Sequence, residues 1–129
     1  MIVLDTNALL WVHWDSPRLG PIARDEISGA ETVYYSSVSV LEIVIKNMLG
    51  KLELPGSEKF PGVFTEAGMT ELVLSAEHAD AMRADTSLVH HDPFDRMLLG
   101  QARAEGLTLI TSDGTLNDLR LDFVLNARA

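Results

Sequence analysis

The chain has 129 residues, with 19 Asp and Glu against 10 Lys and Arg, four His and no Cys, giving a formal net charge of −9. This length suits one domain with a continuous core, and 47 % hydrophobic with 22 % charged residues excludes disordered and fibrous classes. Without cysteine there is no disulfide framework, zinc–thiolate site or thiol nucleophile. The longest clean apolar run, Ala8–Val12, is five residues, so no membrane span is expected. Met1-Ile-Val-Leu-Asp5 meets an acid with no basic stretch before it; no signal peptide is expected, and the protein reads as cytoplasmic. A body at −9 repels nucleic acid, whose binding rests on Lys and Arg. That objection weakens if carboxylates are gathered in one pocket around a bound cation.

No internal repeat, low-complexity tract or linker divides the sequence, so residues 1–129 read as a single domain. Ile2–Leu4 is a short apolar run and predicts a first strand. A helix over Asn7–Trp14 is stopped by Asp15-Ser16-Pro17, and a second covers about Pro21–Ser28, with Gly29 ending it. Thr32–Tyr35, β-branched and aromatic, predicts a second strand. Ser39 and Glu42 have the spacing of a capping box and are expected to open an apolar helix that Gly50 terminates. Leu54–Gly68 holds two Pro and three Gly and reads as a loop closing on a short helix. Glu71–Leu74 predicts a third strand and Ala76–Asp85 a helix. Asp92-Pro93 marks a helix start, an acid at the cap followed by Pro at the first helical position; that helix runs to Glu105 and stops at Gly106. Leu107–Thr111 predicts a fourth strand and Phe123–Leu125 a fifth. Strands alternating with helices mean an α/β fold: a mainly parallel sheet of four or five strands, covered on both faces.

Four carboxylates fall at matching places. Asp5 stands at the carboxyl end of the first strand and Asp113 just past that of Leu107–Thr111, while Glu42 and Asp95 fall in the first turns of their helices. In open α/β sheets these ends share one rim, where ligands bind at a topological switch point. Singly, each acid has an ordinary use. Asp5 could cap a helix, Glu42 complete the capping box, Asp95 favour the helix dipole, and Asp113, before Gly114, make a turn. Asp95, however, shares a helix face with Leu98, Leu99 and Ala102, and Glu42 lies among Leu41, Ile43, Val44 and Ile45. Acids in such half-buried places demand partners, and no basic residue sits in the segments beside Asp5 or Asp113. A divalent cation is the simplest partner, and all-oxygen ligation selects Mg²⁺ or Mn²⁺ over zinc. Such a site suits phosphodiester hydrolysis.

Four stretches are diagnostic: VLDTNALLW from Val3 to Trp11, SVSVLEIVIK from Ser37 to Lys46, HHDPFDR from His90 to Arg96 with the following Leu98–Ala104, and LTLITSD from Leu107 to Asp113. In this order they resemble the PIN-domain ribonucleases, and among these the VapC-type toxins of bacterial type II toxin–antitoxin pairs. The likeness spans nearly the whole chain, with little that is diagnostic between about Pro55 and Val89. It implies a PIN-like three-layer α/β/α fold and carries the family's metal-binding and catalytic acids onto Asp5, Glu42, Asp95 and Asp113. It further implies Mg²⁺-dependent endoribonuclease activity with Mn²⁺ as a substitute, a homodimer, and a small VapB-like antitoxin. Thr6 and Ser112 stand where hydroxyls support the acids, and Asn7 where many relatives carry His. Asp92 is assigned to the helix cap rather than to metal.

Lys46 and Lys51, near one end of the Glu42 helix, are candidate RNA-backbone contacts, although a solvated face explains them equally well. Arg96 could contact phosphate, but pairing with a neighbouring acid is the better expectation. His90 and His91 are adjacent, so they point apart, and a lead-in to the Asp92 cap explains them better than catalysis. His13 and His78 lack partner spacing and are expected at the surface or half-buried, whereas Trp11 and Trp14 read as core. Ala8–Val12 and much of Val38–Leu49 are apolar all round, which predicts full burial or contact with another chain. A groove there would anchor an antitoxin segment that presses a basic residue toward the four acids. Two rival readings fit less well. A phospho-receiver module wants paired acids after the first strand and a Lys after the last. A catalytically inactive PIN-type interaction domain is opposed by the intact acid quartet.

Overall fold

A computed structural model of the chain describes all residues from Met1 to Ala129. Ile2–Leu4 forms β1, which leads at once into α1, Thr6–His13. Then follow α2 (Pro21–Gly29), β2 (Val33–Ser36) and α3 (Ser37–Met48). The Pro- and Gly-rich stretch expected to be a loop holds a 3₁₀ turn, Ser57–Lys59, and the short α4, Val63–Glu66. Beyond it come β3 (Thr70–Leu72), α5 (Ala76–Ala81), α6 (Pro93–Glu105), β4 (Thr108–Thr111), α7 (Gly114–Asp118) and β5 (Val124–Asn126). The helix expected over Ala76–Asp85 ends early, at Ala81, and passes into two 3₁₀ turns, Met82–Ala84 and Thr86–Leu88. No helix is long and apolar enough to cross a membrane.

The five strands lie in the order β3-β2-β1-β4-β5, and every neighbouring pair is parallel. The expected fifth strand therefore completes the sheet. The chain builds outward from β1 to β3 on one side, then returns to lay β4 against the other side of β1. That reversal makes the β1–β4 junction the switch point. Side chains alternate along the short strands. Ile2, Leu4 and Ile110 pack with α1, Ala23 of α2 and Phe64 of α4; Val3 and Leu109 pack on the other face with Leu98, Leu99 and Ala102 of α6. Val38 belongs to the second cluster and Ile43 to the first, so α3 straddles the two layers at the rim.

Two local expectations are corrected. Ser36, not Ser39, caps α3: its hydroxyl accepts from Val38 N and donates to Gln101 Oε1 on α6. Starting the helix at Ser37 moves Glu42 into its second turn and leaves Ser39 buried against Thr6. The capping box lies instead at Ser75 and His78, where the imidazole Nδ1 accepts from Ser75 N and Nε2 meets Glu105 at 2.8 Å. His78 is thus 3 % exposed and fully engaged, not a surface residue. Of the two all-apolar segments, Ala8–Val12 is mostly core, whereas α3 leaves Leu41, Ile45, Met48 and Leu49 exposed along one face. Trp11 is buried as expected; Trp14 is 47 % exposed.

Gly100 sets the spacing of α5 and α6. Alanine would gain about 1 kcal/mol of helix propensity there, but its Cβ would stand 2.7 Å from the His78 carbonyl oxygen and 2.8 Å from Met82 Cγ. The carbonyl is helix backbone and cannot yield locally, so overpacking strain of about 1–3 kcal/mol should outweigh the gain. Gly100→Ala is therefore expected to lower the urea midpoint without changing the m-value. A midpoint at or above wild type would mean that α5 moves away freely.

Candidate active site

Asp5 ends β1 and caps α1. Its Oδ1 accepts from Ala8 N at 2.7 Å, and its Oδ2 accepts from Thr111 Oγ1 and Ser112 N, both at 2.8 Å, with Ser112 Oγ at 3.4 Å. The side chain is buried, and that burial pushes its pKa upward even though these hydrogen bonds pull it back. Asp113 caps α7 by accepting from Leu116 N at 2.9 Å, and Asp92 caps α6 by accepting from Phe94 N at 2.8 Å. The cap reading of Asp92 therefore holds, although its side chain also reaches the rim.

The switch point opens a cleft of about 290 Å³ with no apolar lining. Asp5, Glu42, Asp95 and Asp113 all border it, joined by Asp92, Thr6, Asn7, Ser112, Lys46 and Arg128. The four scattered acids thus converge. Asp95 registers the crowding most directly: its pKa is raised to about 7, first by burial and then by the charges of Asp113, Asp92, Asp5 and Glu42. Glu42 is partly relieved by Lys46, whose ammonium lies 2.9 Å away one helical turn on.

Several residues sit elsewhere than the sequence suggested. Ser112 supports Asp5 as expected, but the Thr6 hydroxyl donates to Ser39 Oγ at 3.0 Å, and Thr111 takes the place assigned to it. Asn7 donates to Ser112 Oγ at 3.0 Å. Arg96 pairs with no acid: its Nη1 donates to the Val89 carbonyl at 3.2 Å, and it faces a separate hollow beside Met82 and Arg83. Lys51 lies exposed beyond the end of α3 and does not border the cleft.

The sequence assigns His91 to the lead-in of the Asp92 cap and gives no sign of Arg128, yet both reach the site. His91 Nε2 lies 3.1 Å from Asp113 Oδ2 and 3.6 Å from Asp95 Oδ2; its spacing of four residues from Asp95 was the available signal. Arg128 donates to the Ser112 carbonyl at 2.9 Å and stacks 5.0 Å above the Trp11 ring. No local motif announces it, because β5 alone brings it to the rim. The expectation of acids without basic partners is corrected accordingly, for Lys46, His91 and Arg128 all reach this rim. Even so, Asp95 stays raised to about 7 by burial and by the neighbouring acids. Clustered carboxylate oxygens in a polar cleft are the donor set a hard divalent ion requires.

The PIN-domain family model matches residues 2–120. The chain belongs to the PIN-domain family. Among curated proteins nothing matches it. Solved structures with the same fold include a toxin–antitoxin complex from Klebsiella pneumoniae, at 16 % identity and TM-score 0.66 over 98 % of both chains. VapBC2 from Rickettsia felis bound to a promoter DNA fragment gives 18 % and 0.68, again over 98 % of both chains. FitAcB from Neisseria gonorrhoeae gives 21 % and 0.63 over 98 % of both. Membership in the PIN family removes the phospho-receiver reading.

The pKa of Asp95 makes the stability of this PIN domain pH-dependent. In the unfolded chain the carboxyl ionises near its ordinary 3.8, whereas in the folded protein it keeps its proton up to about 7. The stability this group contributes is full below about pH 4 and is lost progressively as pH rises to about 7. Metal-free protein should therefore melt at lower temperature at pH 7.5 than at pH 5, and Asp95→Asn should flatten that slope. An unchanged slope in Asp95→Asn would assign the effect to other groups.

Proposed function

We propose that this PIN domain is a Mg²⁺-dependent endoribonuclease, with Mn²⁺ as a substitute, acting in the cytoplasm as the toxin of a VapBC-like toxin–antitoxin pair. The observation that carries the reading is the convergence of Asp5, Glu42, Asp95 and Asp113 on one cleft lined by no hydrophobic residue at the switch point, with Asp95 raised to about 7 first by burial and then by the neighbouring acids. Family membership supports a nuclease, and the toxin–antitoxin complexes among the structural neighbours support the toxin role.

Asp5, Glu42, Asp95 and Asp113 would hold the ion. When bound, it supplies a counter-charge to the acids, an activated water and stabilisation of the leaving oxygen. The chain's own side chains do the rest. Asp5 is fixed by its hydrogen bonds and keeps one wall of the cleft rigid. Lys46 and Arg128 stand at the rim, where the phosphates flanking the scissile bond would pass. Lys51 and Arg96, off the cleft, are not needed for that contact. Whichever of the four carboxylates is left free of the ion would orient the attacking water and accept its proton.

Control follows from the surface next to the cleft. A groove of about 460 Å³ runs from Asn7 past Leu10, Trp11 and Trp14 to Leu52, and the exposed Leu41, Ile45, Met48 and Leu49 lie on α3. A small VapB-like antitoxin would lie along this apolar surface and insert a basic residue among the acids, and a second copy of the chain would cover the remainder in a homodimer.

Purified protein free of any partner should cut total cellular RNA in Mg²⁺ and stop on chelation. Asp5→Asn should reduce cleavage by orders of magnitude. Asn can keep the cap bond from Ala8 N, but its amide NH2 then faces the Ser112 N–H, so circular dichroism should accompany the assay to show that the variant is folded. Wild-type cleavage by Asp5→Asn would overturn the site assignment, and no cleavage by the intact protein would leave a PIN-type interaction domain in its place. Light scattering should give twice the 14.2 kDa monomer mass, and a monomer at micromolar concentration would reject the dimer.

A further inference from the structure

We propose that His91 supplies an imidazole nitrogen to the metal site, so that His91, Asp95 and Asp113 form a mixed nitrogen–oxygen subsite that prefers Mn²⁺ and later first-row divalent ions over Mg²⁺. The inference rests on the acid cleft being a metal site and names the ion class it favours.

The geometry comes from the lead-in to α6. His91 N donates to the Leu88 carbonyl at 2.8 Å, in the turn that follows Thr86–Leu88, and Asp92 then caps the helix through Phe94 N. That fixed start sets His91 four residues before Asp95, so both side chains face Asp113. The three potential ligand atoms lie within 4.8 Å of one another. His91 Nε2 is 3.1 Å from Asp113 Oδ2 and 3.6 Å from Asp95 Oδ2. Donors about 2.1 Å from a common ion are about 3.0 Å apart at neighbouring octahedral positions and about 3.4 Å apart at tetrahedral ones. Both separations resemble edges of a coordination polyhedron.

The residue type then decides selectivity. Mg²⁺ takes oxygen donors and sheds water reluctantly, whereas a neutral imidazole nitrogen suits first-row transition ions. A purely acidic cleft would favour Mg²⁺ or Mn²⁺ with little discrimination. One nitrogen among the oxygens tilts it.

There is one competing use for His91. It could serve only as a hydrogen-bond donor from Nε2 to Asp113 Oδ2, in which case an arriving metal ion displaces it. The two uses differ in sign. Removing a ligand weakens Mn²⁺ binding far more than Mg²⁺ binding; removing a competing hydrogen bond strengthens both together.

The test uses the full-length protein with Mn²⁺ and Mg²⁺ as probes. Calorimetric titration should show that His91→Ala, with His91→Gln as a closer match in size, loses roughly tenfold or more in Mn²⁺ affinity with little change for Mg²⁺. Pulsed electron paramagnetic resonance of Mn²⁺-loaded wild type should show coupling to an imidazole nitrogen that is absent in both variants. The wild-type spectrum needs no variant, so it stands even if a substitution harms folding. If wild type binds both ions without nitrogen coupling, or the variants bind both ions more tightly, the His91 assignment is overturned and the acidic metal site stands. If wild type binds neither ion, both fall.

Discussion

The carboxylate of Asp5 is the constraint from which the rim of this molecule is built. It is 3 % exposed, at the end of the central strand, and its hydrogen-bond donors come from α1, from β4 and from the residue after β4. An acid buried there without donors would cost several kcal/mol. With them it becomes a clamp that joins the first helix to the strand on the far side of the switch point. Ser112, held by this clamp, receives the Asn7 amide on its hydroxyl and the Arg128 guanidinium on its carbonyl. Both edges of the cleft are thereby referred to one buried group.

The remaining acids differ in how much structural work they share with their charge. Asp5, Asp92 and Asp113 each cap a helix, a contribution of roughly 1 kcal/mol apiece. Glu42 has Lys46 at 2.9 Å. Asp95 caps nothing. It is the third residue of α6, His91 Nε2 lies 3.6 Å from it, and four other carboxylates act on it. The mutual repulsion of the acids thus bears on a side chain with little structural use, the pattern of a site where charge is gathered for binding.

Much of the fold was legible in the sequence because its signals are local. Asp92-Pro93 and Gly106 bound α6 as expected, the latter in the left-handed region at φ 66°. The strand–helix alternation gave the parallel sheet, and strand ends gave the rim on which the four acids meet. The errors arose where a tertiary contact outranked a local pattern. Ser39 and Glu42 have capping-box spacing, yet Ser36 caps α3 because Gln101 of α6 holds its hydroxyl. His78 looked isolated because its partners, Glu105 and Gln101, lie on another helix. Arg96 follows Asp95 directly, but adjacent helical residues face different ways, so it turns to the Val89 carbonyl. His91 carried only its four-residue spacing from Asp95, and Arg128 carried no local signal, because the packing of β5 against the switch point brings it to the acids.

The placement of Asn7 joins the cleft to the apolar surface beside it. Its side chain borders both the acid site and the groove through Leu10, Trp11 and Trp14. On the proposed function, a segment anchored in that groove needs no long reach to bring a guanidinium among the carboxylates. A guanidinium there and a divalent ion with its RNA phosphate would neutralise the same charges, so the two occupancies exclude each other. On that reading, exclusion of this kind would need no conformational change, because the competing groups would meet in one cleft. The contest would then depend on salt in one part only. Long-range attraction to a body at −9 is screened, whereas burial of apolar anchors against Trp11, Trp14 and the α3 face is not. A partner bound mainly through the apolar surface would therefore hold the cleft closed across ionic strengths at which RNA, attracted only by a few rim cations and the ion, gains or loses orders of magnitude in affinity.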